Sequence, residues 1–365
     1  MSFKGEEDKD RDNKISLFNF FFNNGFTPRL EIPLYEFFKG ERLGKELTDL
    51  DVFGFKYIPF VGIIKITASA KGEAKNISHT SEIFKLKGIN EYFLPFKSYY
   101  IHDKSPTDEL YGFGKKLGIE IFSKSSFSNV LNRLQNKFML SKTGADAISQ
   151  SLLITKDLGY YNFITSEFWL SKQPDKIYKL ESILKKIFEK NINIGESKNF
   201  LLILYLISLY IICTIEIIEK VHNVAGTDFE YKLKLIMHGG KNQYKNTIQL
   251  IDGFKKYLKE FDKSNANFFN YDVFIPKFNQ HLELFKRVFV SAESLYLALY
   301  TFDYIMFFFA ESDVINDINN VIKEFSFSVD RIEKGLSFLR YLFSYFINKV
   351  NPKLKLIAKK LNILR

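Results

Sequence analysis

The chain has 365 residues, enough for two domains of about 150 residues each. Its 46% hydrophobic and 26% charged residues exclude an intrinsically disordered protein. A net charge of +10 and a pI near 9.2 allow an anionic partner (nucleic acid, acidic protein or lipid headgroups) without choosing among them. A lone cysteine, Cys213, excludes an internal disulfide and a zinc site built on several thiolates.

The N-terminal MSFKGEEDKDRDNK is charged and has no apolar signal core, so a cytoplasmic protein is expected. Residues 15–24 form an apolar helix closed by Gly25. Residues 30–37 are extended, with Pro33 marking an edge strand. Two longer strands, 46–57 and 63–75, are joined through Pro59 and Gly62. A helix at 81–93, a strand at 98–102, a helix at 107–117, a strand at 119–122 and a helix at 126–137 follow. From about residue 145 the rhythm changes to long segments with apolar residues at helical spacing: 176–190, 199–222, 246–261, 278–310 and 315–350. The expectation is an α/β domain over residues 1–140 and an all-α domain over 145–365, with the boundary between 140 and 150. Residues 201–218, LLILYLISLYIICTIEII, approach the ~20 residues of a membrane span. Ser208, Thr214 and Glu216 interrupt them, and Asp303 interrupts a second apolar stretch at 295–310. Both read as core helices, and a membrane is not an expected partner.

The stretch that carries chemistry is 45–75, KELTDLDVFGFKYIPFVGIIKITASAKGEAK. Alternate residues of a strand share a face, so Asp49 and Asp51 point together, as do Glu73 and Lys75. A turn centred near Gly62 sets Asp51 opposite Glu73. Two close carboxylates repel one another and favour a bound Mg²⁺ or Mn²⁺, with the Ala74 carbonyl as a further ligand. Such an ion lowers the pKa of a bound water, and Lys75 can orient or deprotonate the attacking water. The bare patterns D-x-D and E-x-K are short, and they equally describe two strands with charged, solvated side chains.

Order along the chain adds to the pattern. FNFFFNNGF (18–26), the aspartate of TDLDVFG, the E-x-K of KGEAKN and the later YYIHDKSPTDELYGFGKKLGIEIF (99–122) follow one another. In this order, residues 15–135 resemble the PD-(D/E)xK nuclease superfamily, and within it the Mrr-like restriction endonucleases. The resemblance implies a restriction-endonuclease-like mixed sheet flanked by helices and metal-dependent hydrolysis of DNA by Asp51, Glu73 and Lys75. It also implies a role in host defence, and a homodimer would suit the cutting of duplex DNA by one site per chain. The helical half would then bind substrate, dimerise or sense a trigger. Two departures stand out: Leu50, not proline, precedes Asp51, and no acid lies inside the helix at 15–24. Asp12, Glu31 or Glu36 are candidates for that acid, and Asp49 is an alternative to Asp51.

The five histidines show no paired metal-ligand spacing. His79 follows Lys75 by four residues and could touch a phosphate, and His102 ends a strand and could face the site. No Gly-rich phosphate loop is present, which argues against an NTPase. The basic amphipathic segment 353–365 reads as a solvated helix face. A reading from a different class is a non-catalytic nucleic-acid-binding or assembly protein on a nuclease-like scaffold.

Overall fold

The structure, a computed structural model, describes residues 3–38, 41–59, 61–71, 78–133, 138–171, 176–190, 193, 195–224, 228–261, 278–312, 329–361 and 363. Helix α1 (Phe3–Asn23) begins about three turns before the apolar stretch, because the charged run ahead of it is rich in good helix formers. Gly25, at φ +77°, ends it by donating its N–H to the Phe22 carbonyl.

Three antiparallel strands follow, β1 (Thr27–Phe38), β2 (Glu41–Ile58) and β3 (Gly62–Lys71). Strands β4 (Lys97–His102) and β5 (Ile119–Ser123) then add in parallel, giving a mixed sheet in the order β1-β2-β3-β4-β5. β1 lies at the edge, where Pro33 is tolerated, and register shifts around Tyr35 break its ladder. Helix α2 (His79–Phe93), capped by Ser78, and helix α3 (Asp108–Lys116), capped by Thr107, make the two parallel crossovers. Helix α4 (Lys124–Asn132) starts directly from β5, with Ser123 as its cap.

The β2–β3 hairpin corrects the expected register. It closes with Ile58 paired to Gly62, two residues nearer the N-terminus than a turn centred on Gly62. Each partner on β3 therefore moves by four residues. Val52 pairs with Ala68, and Asp51 stands level with Ser69, not with Glu73. Glu73, Ala74 and Lys75 lie outside the described residues.

The sheet is covered on both faces. Phe20 and Phe21 of α1 pack against Tyr99, and Phe93 and Asn90 of α2 meet Phe53 and Thr67. Gly54 is glycine for want of room, since a Cβ there would fall 2.6 Å from Ile66 Cγ1 and 3.1 Å from Phe21 Cδ2.

The described residues of the remainder are mainly helical: α5 (Lys142–Leu153), a π turn (Phe163–Glu167) running into α6 (Phe168–Leu170), α7 (Lys176–Glu189), α8 (Ser197–Asn223), α9 (Phe229–Met237) and α10 (Lys241–Phe261). The helix expected over 278–310 is two, α11 (Phe278–Val290) and α12 (Ala292–Ser312), separated at Ser291. Of the segment expected over 315–350, the described part is α13 (Val329–Tyr345) and a π turn (Phe346–Val350), followed by α14 (Leu354–Lys360).

Helix α8 is long and apolar enough to cross a membrane, yet 94% of its most apolar window is buried inside the protein. It is the central helix of this half, apolar on all sides because neighbours surround it. The two halves share one core. Phe22 of α1 stacks on Tyr300 of α12 at 4.7 Å, and the Tyr300 hydroxyl donates to the Phe22 carbonyl. Arg29 of β1, 3% exposed, reaches Asp303 of α12 at 2.8 Å and Ser208 of α8.

Candidate functional site

Asp51 is the one expected catalytic residue that the described chain holds in a buried centre. It lies on β2, 2% exposed, on the face covered by α2. Its Oδ2 accepts from the Ser69 hydroxyl at 2.8 Å and from the Ala70 N–H at 2.9 Å. Its Oδ1 stands 2.8 Å from Lys14 Nζ, which α1 carries over the ends of the strands. Burial by itself raises the Asp51 pKa, but attraction from Lys14 and Lys71 and the hydrogen bonds from Lys14 and Ala70 outweigh it. The carboxyl sits below its ordinary range. Burial likewise works against the Lys14 ammonium, and Asp51, Glu31 and Asp49 more than restore it, so its pKa is raised.

The other acids weighed from sequence take part differently. Asp49 lies 3.6 Å from both Lys14 and Lys85, at the half-buried rim. Glu31 binds Arg11 at 2.7 Å and Lys14 at 3.2 Å, so it pairs with cations instead of adding to a cluster of acids. Asp12 is exposed. Glu36 lies in β1, and its side chain is outside the described residues.

His79 and His102, which the sequence offered separately, come together. His102 ends β4 beside Lys71 of β3, and His79 opens α2, with ring centroids 4.6 Å apart. His79 Nδ1 shares a 2.8 Å hydrogen bond with the Tyr100 hydroxyl. His102 is 3% exposed, and neither of its ring nitrogens has a hydrogen-bond partner. Burial, then the neighbouring His79, push its pKa down, and Asp103 only partly opposes them, so the ring is neutral at pH 7. Glu82, one turn along α2 from His79, completes the group. Its buried Oε2 has no hydrogen-bond partner, and the ammonium groups of Lys71 and Lys85 stand off at 3.9 and 4.0 Å.

Sequence reasoning missed Lys14, Ser69, Glu82 and Tyr100. Glu82 and His79 were legible in principle, since residues three apart share a helix face. Lys14 was not, because its role depends on how α1 crosses the strand ends.

Of the expected metal ligands only Asp51 lies among the described residues, and there its carboxylate is met by a lysine. Both Asp51 oxygens are engaged, one of them by an ammonium, and the residue level with Asp51 is a serine hydroxyl, not a second acid. Among the described residues no three His, Cys, Asp or Glu side chains converge on a point that could hold a metal ion. No protein-family model, no curated protein and no solved structure matches the chain.

Proposed function

We propose that the chain is a nucleic-acid-binding protein built on a restriction-endonuclease-like frame, with its acidic centre held as an internal ion pair. One observation carries this reading: Lys14 Nζ sits 2.8 Å from Asp51 Oδ1, where a nuclease of this plan needs a metal ion. A cation already bound covalently to the chain neutralises the carboxylate, and Ser69 and Ala70 saturate its other oxygen. The positive net charge supports an electrostatic hold on phosphodiester backbones. The experiment is thermal unfolding with Mg²⁺ or Mn²⁺ against ionic-strength controls. A protein without a metal site gains no stability, whereas a site occupied at 100 times its Kd adds about 2.7 kcal/mol.

A second reading, an Mg²⁺-dependent DNA endonuclease using Asp51, Glu73 and Lys75, has its own supporting observation. Asp51 is charged and buried at the strand ends, and the Glu73-Ala74-Lys75 sequence begins two residues after β3. That reading requires metal-dependent stabilisation in the same experiment, lost in Asp51→Ala.

A further inference from the structure

A cavity of about 580 Å³ opens where the β2–β3 turn meets the helical half, at the other end of these strands from Asp51. Its volume falls within the roughly 300–1,000 Å³ of small-molecule sites. Its walls are the turn, the end of α8, and the break between α11 and α12 at Ser291. Gly62 lets Glu219 of α8 come up beneath the hairpin, since a Cβ there would fall 2.5 Å from Glu219 Oε1. That oxygen accepts from the Ile63 N–H at 2.7 Å, which fixes the carboxylate in the wall. The break at Ser291 sets Glu293, in the first turn of α12, beside the same space.

The polar groups of this wall have bonding capacity left over. Among the described residues, Glu219 Oε2 and both Glu293 oxygens take part in no hydrogen bond or ion pair. The Tyr57 side chain is 9% exposed, yet its hydroxyl has no hydrogen-bond partner among these residues either. Burial, then Glu219, raise the Tyr57 pKa, which places the hydroxyl within electrostatic reach of that carboxylate. A polar group so enclosed calls for a partner.

Charge selects that partner. The chain carries +10 overall, but two carboxylates line the cavity and, among the described residues, no lysine or arginine does. His222 stacks on Phe289 at 4.2 Å and adds no charge at pH 7, because burial and then Lys232 lower its pKa from 6.5. Carboxylates only accept hydrogen bonds, whereas an ammonium only donates them, three at a time. An anion would meet both carboxylates unfavourably. The Tyr57 and Phe289 rings attract a cation and can cover an aliphatic chain.

We propose that this cavity binds a small aliphatic polyamine, with its ammonium groups on Glu219 and Glu293. The test is isothermal titration calorimetry of spermidine into the full chain freed of nucleic acid. The controls are 1,8-octanediol, an uncharged chain of matching length, and Mg²⁺ at the same ionic strength. Spermidine should bind saturably at one site per chain, and neither control should. The positive net charge of the protein opposes loose attraction of amines, so saturable binding reports the cavity. Glu219→Gln and Glu293→Gln should each weaken binding about tenfold, as for the loss of a charged hydrogen bond. Glutamine at 219 keeps an acceptor for the Ile63 N–H, and Glu293 is exposed, so both variants should melt as wild type does. Glu283→Gln, an exposed carboxylate outside the cavity, should change nothing. Heats that never saturate, that Mg²⁺ reproduces, or that either cavity variant leaves unchanged overturn the proposal.

Discussion

At the scale of single residues, the centre is defined by a lysine and an aspartate that depend on each other. Lys14 and Asp51 are both largely buried, so removing one leaves the other charged and without its partner. Lys14→Met should therefore destabilise the protein by about 3–5 kcal/mol in denaturant unfolding. Asp51→Leu in the same background should recover part of that loss, because no charge then remains stranded. Asp51 also sets an acid limb. Its folded pKa lies below the ordinary value of 3.8, so its contribution is present above that pH and is lost as the pH falls through the folded value. Asp51→Asn should flatten the stability curve below pH 4. His102 is depressed too, from 6.5, so the native state favours its neutral form and loses stability as the pH falls below that value. His102→Gln should lose less stability than wild type between about pH 7 and 5. His222 and His238, which burial also depresses, are common to both proteins and cancel in the comparison.

At the scale of elements, close packing of the hairpin gives a sharp test. Gly54→Ala would push a methyl against Ile66 and Phe21, and overpacking of this kind costs about 1–3 kcal/mol. Chemical denaturation of the variant measures it directly. The order of strands and helices from α1 to β5 was legible in the sequence, because period-2 and period-3.6 apolar patterns alternate there and Gly25, Pro33 and Gly118 punctuate them. The hairpin register was not. Gly62 does have a positive φ, but it begins β3 paired to Ile58 instead of sitting at the centre of the turn. Strand pairing amplifies such a small displacement, so a turn moved by two residues brings Ser69, not Glu73, to Asp51. The candidate site was thus legible in Asp51, His79 and His102 and illegible in the partners that decide its chemistry.

At the scale of the whole molecule, a buried ion pair ties the sheet to the helical half. Arg29 and Asp303 are 3% and 0% exposed, and Ser208 and the Tyr205 ring close around the guanidinium. The sequence marks Asp303 as an interruption of an apolar helix, but its partner lies 274 residues away and no local pattern points to it. Asp303→Leu should cost about 3–5 kcal/mol by stranding Arg29, whereas Arg29→Met with Asp303→Leu should cost far less. Calorimetry of the two variants checks this. A single cooperative transition in the wild type is expected as well, since the halves share aromatic contacts such as Phe22 with Tyr300.

The central claim, nucleic-acid binding at an ion-paired centre that does not call on a metal, is tested most directly with labelled duplex DNA. Anisotropy is read in Mg²⁺ and in EDTA, and the same samples are then run on a denaturing gel. The account predicts equal binding at matched ionic strength, a steep loss of affinity with added salt, and intact DNA in every lane. DNA cut in Mg²⁺, with cutting abolished by Asp51→Ala, would contradict it and establish the endonuclease in its place.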